Sequence, residues 1–172
     1  MKEIFITGLM CSGKTTLAEG LVNNYNFTRL PFALAVKEDI SSKLRITLEE
    51  LETNKGKYRS MLQIHGESMK IDDPMYWCDK WLEKKANIDN NRVVVDDMRF
   101  LNEFTFAKLR GALTIRVEVP EEVRLKRYFD KFGVLPTEEQ LNHASETYVS
   151  KLPVDLVLDG EVNPKFNILH LF

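Results

Sequence analysis

The residues Gly8-Leu9-Met10-Cys11-Ser12-Gly13-Lys14-Thr15 have the types and spacing of a phosphate cradle, G-x-x-x-x-G-K-[ST]. Its glycines, Gly8 and Gly13, let the backbone wrap a phosphate chain with successive N–H groups turned inward. Met10, Cys11 and Ser12 lie between them, and Thr16 follows the loop. In this pattern Lys14 reaches the β- and γ-phosphates, and the Thr15 hydroxyl is placed to ligate Mg²⁺. A second chemical group closes the run Arg92-Val93-Val94-Val95-Asp96-Asp97. A carboxylate leaving a buried strand beside such a loop can hold Mg²⁺ directly or through water. Asp96 is the first choice for that role and Asp97 the second, and the bland alternative is a turn aspartate.

These groups need elements to position them. Ile4-Phe5-Ile6 leads into the loop, and Thr16-Leu17-Ala18-Glu19-Gly20-Leu21-Val22 leaves it with helical periodicity. The spacing predicts strand 1 over Glu3–Thr7 and a helix from the loop to about Asn24. It predicts a short strand 2 at Arg29-Leu30-Pro31-Phe32 and strand 3 from Arg92 to Asp96. Strand 4 runs from Leu113 to Val119 with period two, and strand 5 from Asp155 to Leu158. Strands alternating with helices argue for an α/β fold around a parallel sheet, with ligands beyond the carboxyl ends of the strands. The helical stretch from about Ala35 to Asn87 is too long for a simple crossover and reads as an inserted substrate arm. A second helical insertion, Glu121 to about Ser150, reads as a lid. The whole is taken as one domain, residues 1–172.

Further constellations surround the loop. Arg99 follows Asp96 closely and could brace it or clamp a second phosphate; a solvated ion pair is the alternative. Arg124 and Arg127 share a helix face and could close over a nucleotide as lid arginines, against an exposed charged face as the bland reading. Arg59, Gln63 and Glu67 recur at i, i+4, i+8 and offer a guanidinium, an amide and a carboxylate, which could read a base. His143-Ala144-Ser145-Glu146 reads as a binding rim or as a helix start capped by Ser145 or Asn142.

The formal net charge of −2 gives no global attraction to nucleic acid or to an anionic membrane, so anion binding must come from local basic clusters. This argues against a long nucleic-acid footprint. The two cysteines, Cys11 and Cys78, with Cys11 inside the loop, fit a reducing cytoplasm better than a disulfide. The sequence shows no signal peptide and no membrane-length apolar run. Asn54-Lys55-Gly56-Lys57 lacks the aspartate of a guanine reader, which weighs against a GTPase switch.

Taken in order, Gly8–Thr16, Phe32–Lys37, Leu62–Glu67, Asp73–Trp77, Val95–Glu103 and His143–Glu146 resemble the phage-type deoxynucleoside monophosphate kinases, a branch of the P-loop nucleoside monophosphate kinases. The resemblance implies a three-layer α/β/α sandwich around a five-stranded parallel sheet of order 2-3-1-4-5. It implies transfer of the ATP γ-phosphate to a deoxynucleoside 5′-monophosphate, with Mg²⁺, in a host cytoplasm if phage-encoded, and a homodimer. Lys14 and Thr15 would serve ATP and Mg²⁺; Lys37, Arg59, Gln63, Glu67 and Trp77 would line the monophosphate side. Asp96 and Arg99 would stand where the substrates join, with Arg124 and Arg127 as lid arginines and Ser145 and Glu146 at the substrate edge. Two departures point to an altered base preference or a different acceptor. Lys70 stands where an arginine is expected, and Leu34-Ala35 replaces an aspartate-proline. Competing acceptors are phosphomevalonate, dephospho-coenzyme A and a hydroxymethylated base in DNA; a nucleotide-binding switch or module is the non-enzymatic alternative.

Overall fold

Two apolar runs set the centre of the sheet. Ile4-Phe5-Ile6 and Val93-Val94-Val95 are wholly shielded from solvent, as strands covered on both faces must be. In the computed structural model, which describes residues 2–161, they lie in strands β1 (Glu3–Thr7) and β3 (Val93–Val95). With β2 (Thr28–Arg29), β4 (Leu113–Glu118) and β5 (Leu156–Asp159) they form a parallel sheet of order β2-β3-β1-β4-β5. The fold is α/β, with the predicted strand order.

Strand alternation builds the layers. Ile4 and Ile6 pack with Leu17, Ala18 and Leu21 of helix α1 (Lys14–Tyr25). Phe5 points to the other face and meets Phe106 of α6 (Leu101–Leu109) edge-on, ring centroids 6.2 Å apart. Strand β5 is registered by Asp155, which accepts from the Thr114 amide at 2.9 Å and its hydroxyl at 2.7 Å. After β4 come α7 (Glu121–Phe132), two single-turn helices, α8 (Glu138–Leu141) and α9 (Ala144–Thr147), and a 3₁₀ turn at Val149–Lys151.

Strand 2 departs from expectation. It covers Thr28–Arg29, not Arg29–Phe32. Pro31 has no N–H for a ladder, and the Pro31 and Phe32 carbonyls instead accept from the Leu34 and Ala35 amides, starting helix α2 (Ala33–Leu44). The strand thus ends on Arg29, whose partner across the ladder is Val94.

The chain divides into two compact units: residues through Arg29 together with those from Asn90 onward, and Leu30–Asp89. The second unit is helical: α2, α3 (Leu48–Thr53), α4 (Lys55–Asp72) and α5 (Tyr76–Ala86). Thr47 caps α3 by accepting the Glu50 amide at 3.0 Å. Two tryptophans of α5 organise its interior. Trp81 donates to the Leu30 carbonyl at 2.8 Å, and Trp77 donates to the Gly66 carbonyl at 2.8 Å. Among the described residues no helix is long and apolar enough to cross a membrane.

Trp81 is 1% exposed and also contacts Phe32. Trp81→Ala removes a large buried ring and strands the Leu30 carbonyl, so it should cost about 3–5 kcal/mol. A urea melt followed by far-UV circular dichroism measures this; a loss below about 1 kcal/mol would refute the assignment.

Candidate active site

The loop after β1 is built on backbone that side chains rarely tolerate. Gly8 has φ +148°, and a Cβ there would fall 2.6 Å from both Ser12 Oγ and the Val117 carbonyl oxygen. Gly13 (φ +107°) and Cys11 (φ +58°) are also left-handed. Helix α1 then opens on Gly13 with no side-chain cap and no acidic residue in its first turn. Its leading amides are therefore free to face an anion.

Lys14 lies inside this loop, 8% exposed, and its ammonium donates to the Gly8 and Leu9 carbonyls at 2.6 and 2.7 Å. Burial pushes its pKa down to about 7, and the Arg99 charge pushes the same way against Glu146, Asp96 and Cys11. The neighbouring Ser12 hydroxyl is buried without a hydrogen-bond partner among the described residues.

Asp96, at the exit of β3 and 3% exposed, joins two elements to the loop. Its Oδ2 accepts from the Thr15 hydroxyl at 3.0 Å. Arg29, from the end of β2, grips both its oxygens: Nε to Oδ1 at 2.9 Å and Nη2 to Oδ2 at 2.7 Å. That bond raises the pKa of Arg29 further above its ordinary value. The sequence reading placed Asp96 and Thr15 together but missed Arg29. The one available signal was a basic residue entering Pro31, a position where the strand had to stop.

The segment after α8 returns to the loop. Buried Glu146 accepts the Met10 amide on Oε2 at 2.7 Å and pairs through Oε1 with Arg99. Arg99 also donates to the Ser145 carbonyl at 3.0 Å. Its backbone is fixed by buried Glu103, which accepts the Arg99 and Phe100 amides at 2.7 and 3.1 Å. Glu103 is a second positioning residue that sequence reasoning missed, though a glutamate three residues into a helix is a known capping signature. The cap of α9 is corrected: His143, not Ser145 or Asn142, accepts the Ser145 amide. Ser145 Oγ lies 2.9 Å from the same ring nitrogen.

Arg124 and Arg127 of α7 both come close to Ser12 but take different surroundings. Arg127 donates to the Gly160 carbonyl at 2.9 Å and to the Ser12 carbonyl at 3.4 Å. Arg124 is 7% exposed, its Nε lacks a partner among the described residues, and it lines a cavity of about 170 Å³ with Gly8, Ser12, Val117 and Arg116.

In the helical unit, Arg59, Gln63 and Glu67 share an exposed side of α4. Lys37 forms an ion pair with Glu52, and Thr16 is exposed on α1. Trp77 is 3% exposed, its N–H is committed to Gly66, and His65 and Tyr76 pack edge-on against it. It is a core side chain of this unit.

A family model described as "AAA domain" matches residues 4–131. The chain belongs to that family. Similar solved structures include TT1252 from Thermus thermophilus, 18% identical over 98% of this chain and 94% of that one, with a TM-score of 0.61. A shikimate kinase from Aquifex aeolicus vf5 is 22% identical over 95% and 89%, TM-score 0.53. A gluconokinase from Sinorhizobium meliloti 1021 is 14% identical over 91% and 81%, TM-score 0.52. At these identities the likeness is one of fold. No curated protein matches the chain.

The donors of this AAA-family loop fit a nucleotide with Mg²⁺. Among the described residues no three His, Cys, Asp or Glu gather as a metal cage. One carboxylate and one hydroxyl, Asp96 and Thr15, suit an ion that keeps several waters and takes its other ligands from phosphate. The buried Ser12 hydroxyl, without a partner among the described residues, supplies one more donor within the cradle.

Lys14 makes the site pH-sensitive. Between about 7 and its ordinary 10.5 the unfolded lysine holds a proton that the folded one has released, so its contribution to stability rises with pH across that window. Below about 7 both states are protonated and the slope vanishes. A polyphosphate beside Lys14 favours the charged form, so an ATP analogue binding at pH 8 should take up as much as about one proton. Isothermal titration in two buffers of different protonation heat measures the uptake. Lys14→Met should abolish it; equal uptake in both proteins would place the proton elsewhere.

Proposed function

We propose that this protein is a Mg²⁺- and ATP-dependent kinase that phosphorylates a deoxynucleoside 5′-monophosphate to the diphosphate. The observation that carries this reading is the engagement of Asp96. Both its oxygens are taken by Arg29, and one also by Thr15. A hydroxyl acceptor must give its proton to a base, and both oxygens of Asp96 already accept hydrogen bonds from Arg29 and Thr15. A monophosphate acceptor is already an anion at neutral pH, and its transfer needs positioning and charge neutralisation instead.

In this reading the loop amides and Lys14 hold the ATP phosphates, and Thr15 and Asp96 hold Mg²⁺, which would supply charge neutralisation at the β- and γ-oxygens. Arg99, Arg124 and Arg127 neutralise the charge of the transferred group. Arg59, Gln63 and Glu67 read the base, with Lys37 and the Ser145–Glu146 segment at the edge of the acceptor. Support comes from the family match, from neighbours named as shikimate kinase and gluconokinase that share the fold and suit a small acceptor, and from the residues common to the phage-type enzymes. As one of these the protein would act on small nucleotides in a host cytoplasm, as a homodimer.

The test is an ATP-consumption screen across the common nucleoside monophosphates in both sugar forms and modified pyrimidine monophosphates. Gluconate, shikimate, phosphomevalonate, dephospho-coenzyme A and hydroxymethylated DNA complete it. Turnover with a deoxynucleoside monophosphate is expected. Turnover confined to a sugar acid would move the acceptor to the hydroxyl class, and none at all would leave a nucleotide-binding module. With the accepted substrate, Lys14→Ala should lower turnover about a hundredfold or more while the melting curve stays close to wild type. Glu67→Ala should chiefly raise the KM for the monophosphate; an effect on ATP alone would displace α4 from the acceptor side.

A further inference from the structure

We infer that Arg29 is a two-edged specificity residue: one edge of its guanidinium fixes Asp96, and the other receives an oxyanion carried by the acceptor. The inference rests on the kinase reading above, and goes beyond it in naming the residue and the chemical group it selects.

A guanidinium carries five N–H donors in a planar fork. Arg29 spends Nε and one Nη2 hydrogen on the two oxygens of Asp96. Among the described residues Nη1 takes no hydrogen bond and no second carboxylate comes within ion-pair distance of Arg29, although the Asp97 and Glu19 charges act on it from further off. The edge formed by Nη1 and the second Nη2 hydrogen is thus unspent. The Arg29 side chain is 41% exposed while Asp96 is 3% exposed, so the pair is solvent-open on the arginine's side alone.

The free edge is also held in place. Two parallel bonds to a buried carboxylate fix the plane of the guanidinium, which removes most of the entropy cost of a second bidentate contact. Planar forks match the oxygens of phosphates and carboxylates, so the group received is an oxyanion. Its position follows from the chain: Arg29 ends β2, Asp96 leaves β3, and Thr15 opens α1. An acceptor anion on Arg29 would stand one guanidinium away from the carboxylate that meets Thr15. Two acceptor chemistries satisfy this, the phosphate of a nucleoside monophosphate and the carboxylate of a sugar acid. Lysine could keep the charge of Arg29 but would lose the fork, and it cannot hold both neighbours at once.

Two measurements test this. In the first, each deoxynucleoside monophosphate and gluconate are titrated into wild-type protein and Arg29→Lys, with a non-hydrolysable ATP analogue as a separate titrant. Arg29→Lys should weaken the oxyanion ligand tenfold or more and leave the ATP analogue, titrated without Mg²⁺ so that Asp96 is not called on, within twofold. In the second, wild-type protein is treated with phenylglyoxal, which modifies exposed guanidinium groups, and Arg29 is followed by mass spectrometry. The oxyanion ligand should protect Arg29, and the ATP analogue alone should not. Binding of gluconate but of no monophosphate, lost in Arg29→Lys, would uphold Arg29 and overturn the monophosphate reading. Monophosphate turnover with an unchanged KM in Arg29→Lys would uphold that reading and overturn the role of Arg29. Arg29 left unprotected by every oxyanion, or equal loss of ATP analogue and acceptor binding, would also overturn it. The wild-type protection experiment needs no variant to fold.

Discussion

The carboxylate of Asp96 is the joint on which the site depends. It is almost wholly buried, and a buried charge is tolerated only when its oxygens are satisfied. Arg29 and Thr15 satisfy them, and in doing so they connect β2, β3 and the start of α1 through one group. The backbone ladder brings these elements side by side: Arg29 is in register with Val94, and Asp96 follows two residues later. A hydrogen-bonded sheet edge therefore sets a side-chain geometry to within a rotamer. The early end of β2 matters for the same reason. Had the strand continued through Leu30 and Pro31, Arg29 would lie within the ladder, not at its exit, where a guanidinium can reach past the carboxyl end.

The loop shows the complementary economy. At Gly8 bulk is excluded outright, whereas at Gly13 there is room for a Cβ and it is the positive φ that favours glycine. Val117, of β4, supplies the carbonyl that forbids a Cβ at Gly8, and one of its methyls lies 2.8 Å from where a Cβ on Gly160 would stand. The same strand thus presses on the loop and on the chain just after β5. Arg127 then ties both, donating to carbonyls of Ser12 and Gly160. Loop shape is set by packing from below as much as by the loop's own residues.

Much of this was legible in the sequence. Three strands announced themselves as apolar runs, and the phosphate pattern fixed the order strand, loop, helix. The pairing of Asp96 with Thr15 followed from the rule that ligands gather at strand exits. What stayed hidden had a common cause. Arg29, Glu103 and His143 act through hydrogen bonds whose partners are fixed by register or by a cap. Register shifts of one residue change every such partner. Arg29 looked like the first residue of a strand until Pro31 was seen to end it. Glu103 had no role of its own in the sequence pattern, and its carboxylate stands on the Arg99 amide. Trp77, which the resemblance puts on the monophosphate side, commits its N–H to the Gly66 carbonyl and packs its ring against Tyr76 inside the helical unit.

Charge balance explains why so many arginines converge in a chain of net charge −2. Around the loop, Lys14 and Arg99 face Glu146 and Asp96, with Arg29 added on the far side of Asp96. Glu146 reaches the Met10 amide, so the protein's own carboxylate stands on a donor of the cradle. A polyphosphate brings several negative charges into that set. It must either be met by cations now directed elsewhere or displace an internal anion. Both routes are present: Arg124 is buried with an Nε that has no partner among the described residues, and Glu146, on a single-turn helix, meets the loop through a hydrogen bond from the Met10 amide. Hydrogen bonds to carboxylates exchange readily for hydrogen bonds to phosphates, because the two offer similar oxygens to the same donors. Lys14 follows the same logic. Its pKa is depressed chiefly by burial, with the Arg99 charge adding to it, and a bound phosphate chain would favour its charged form.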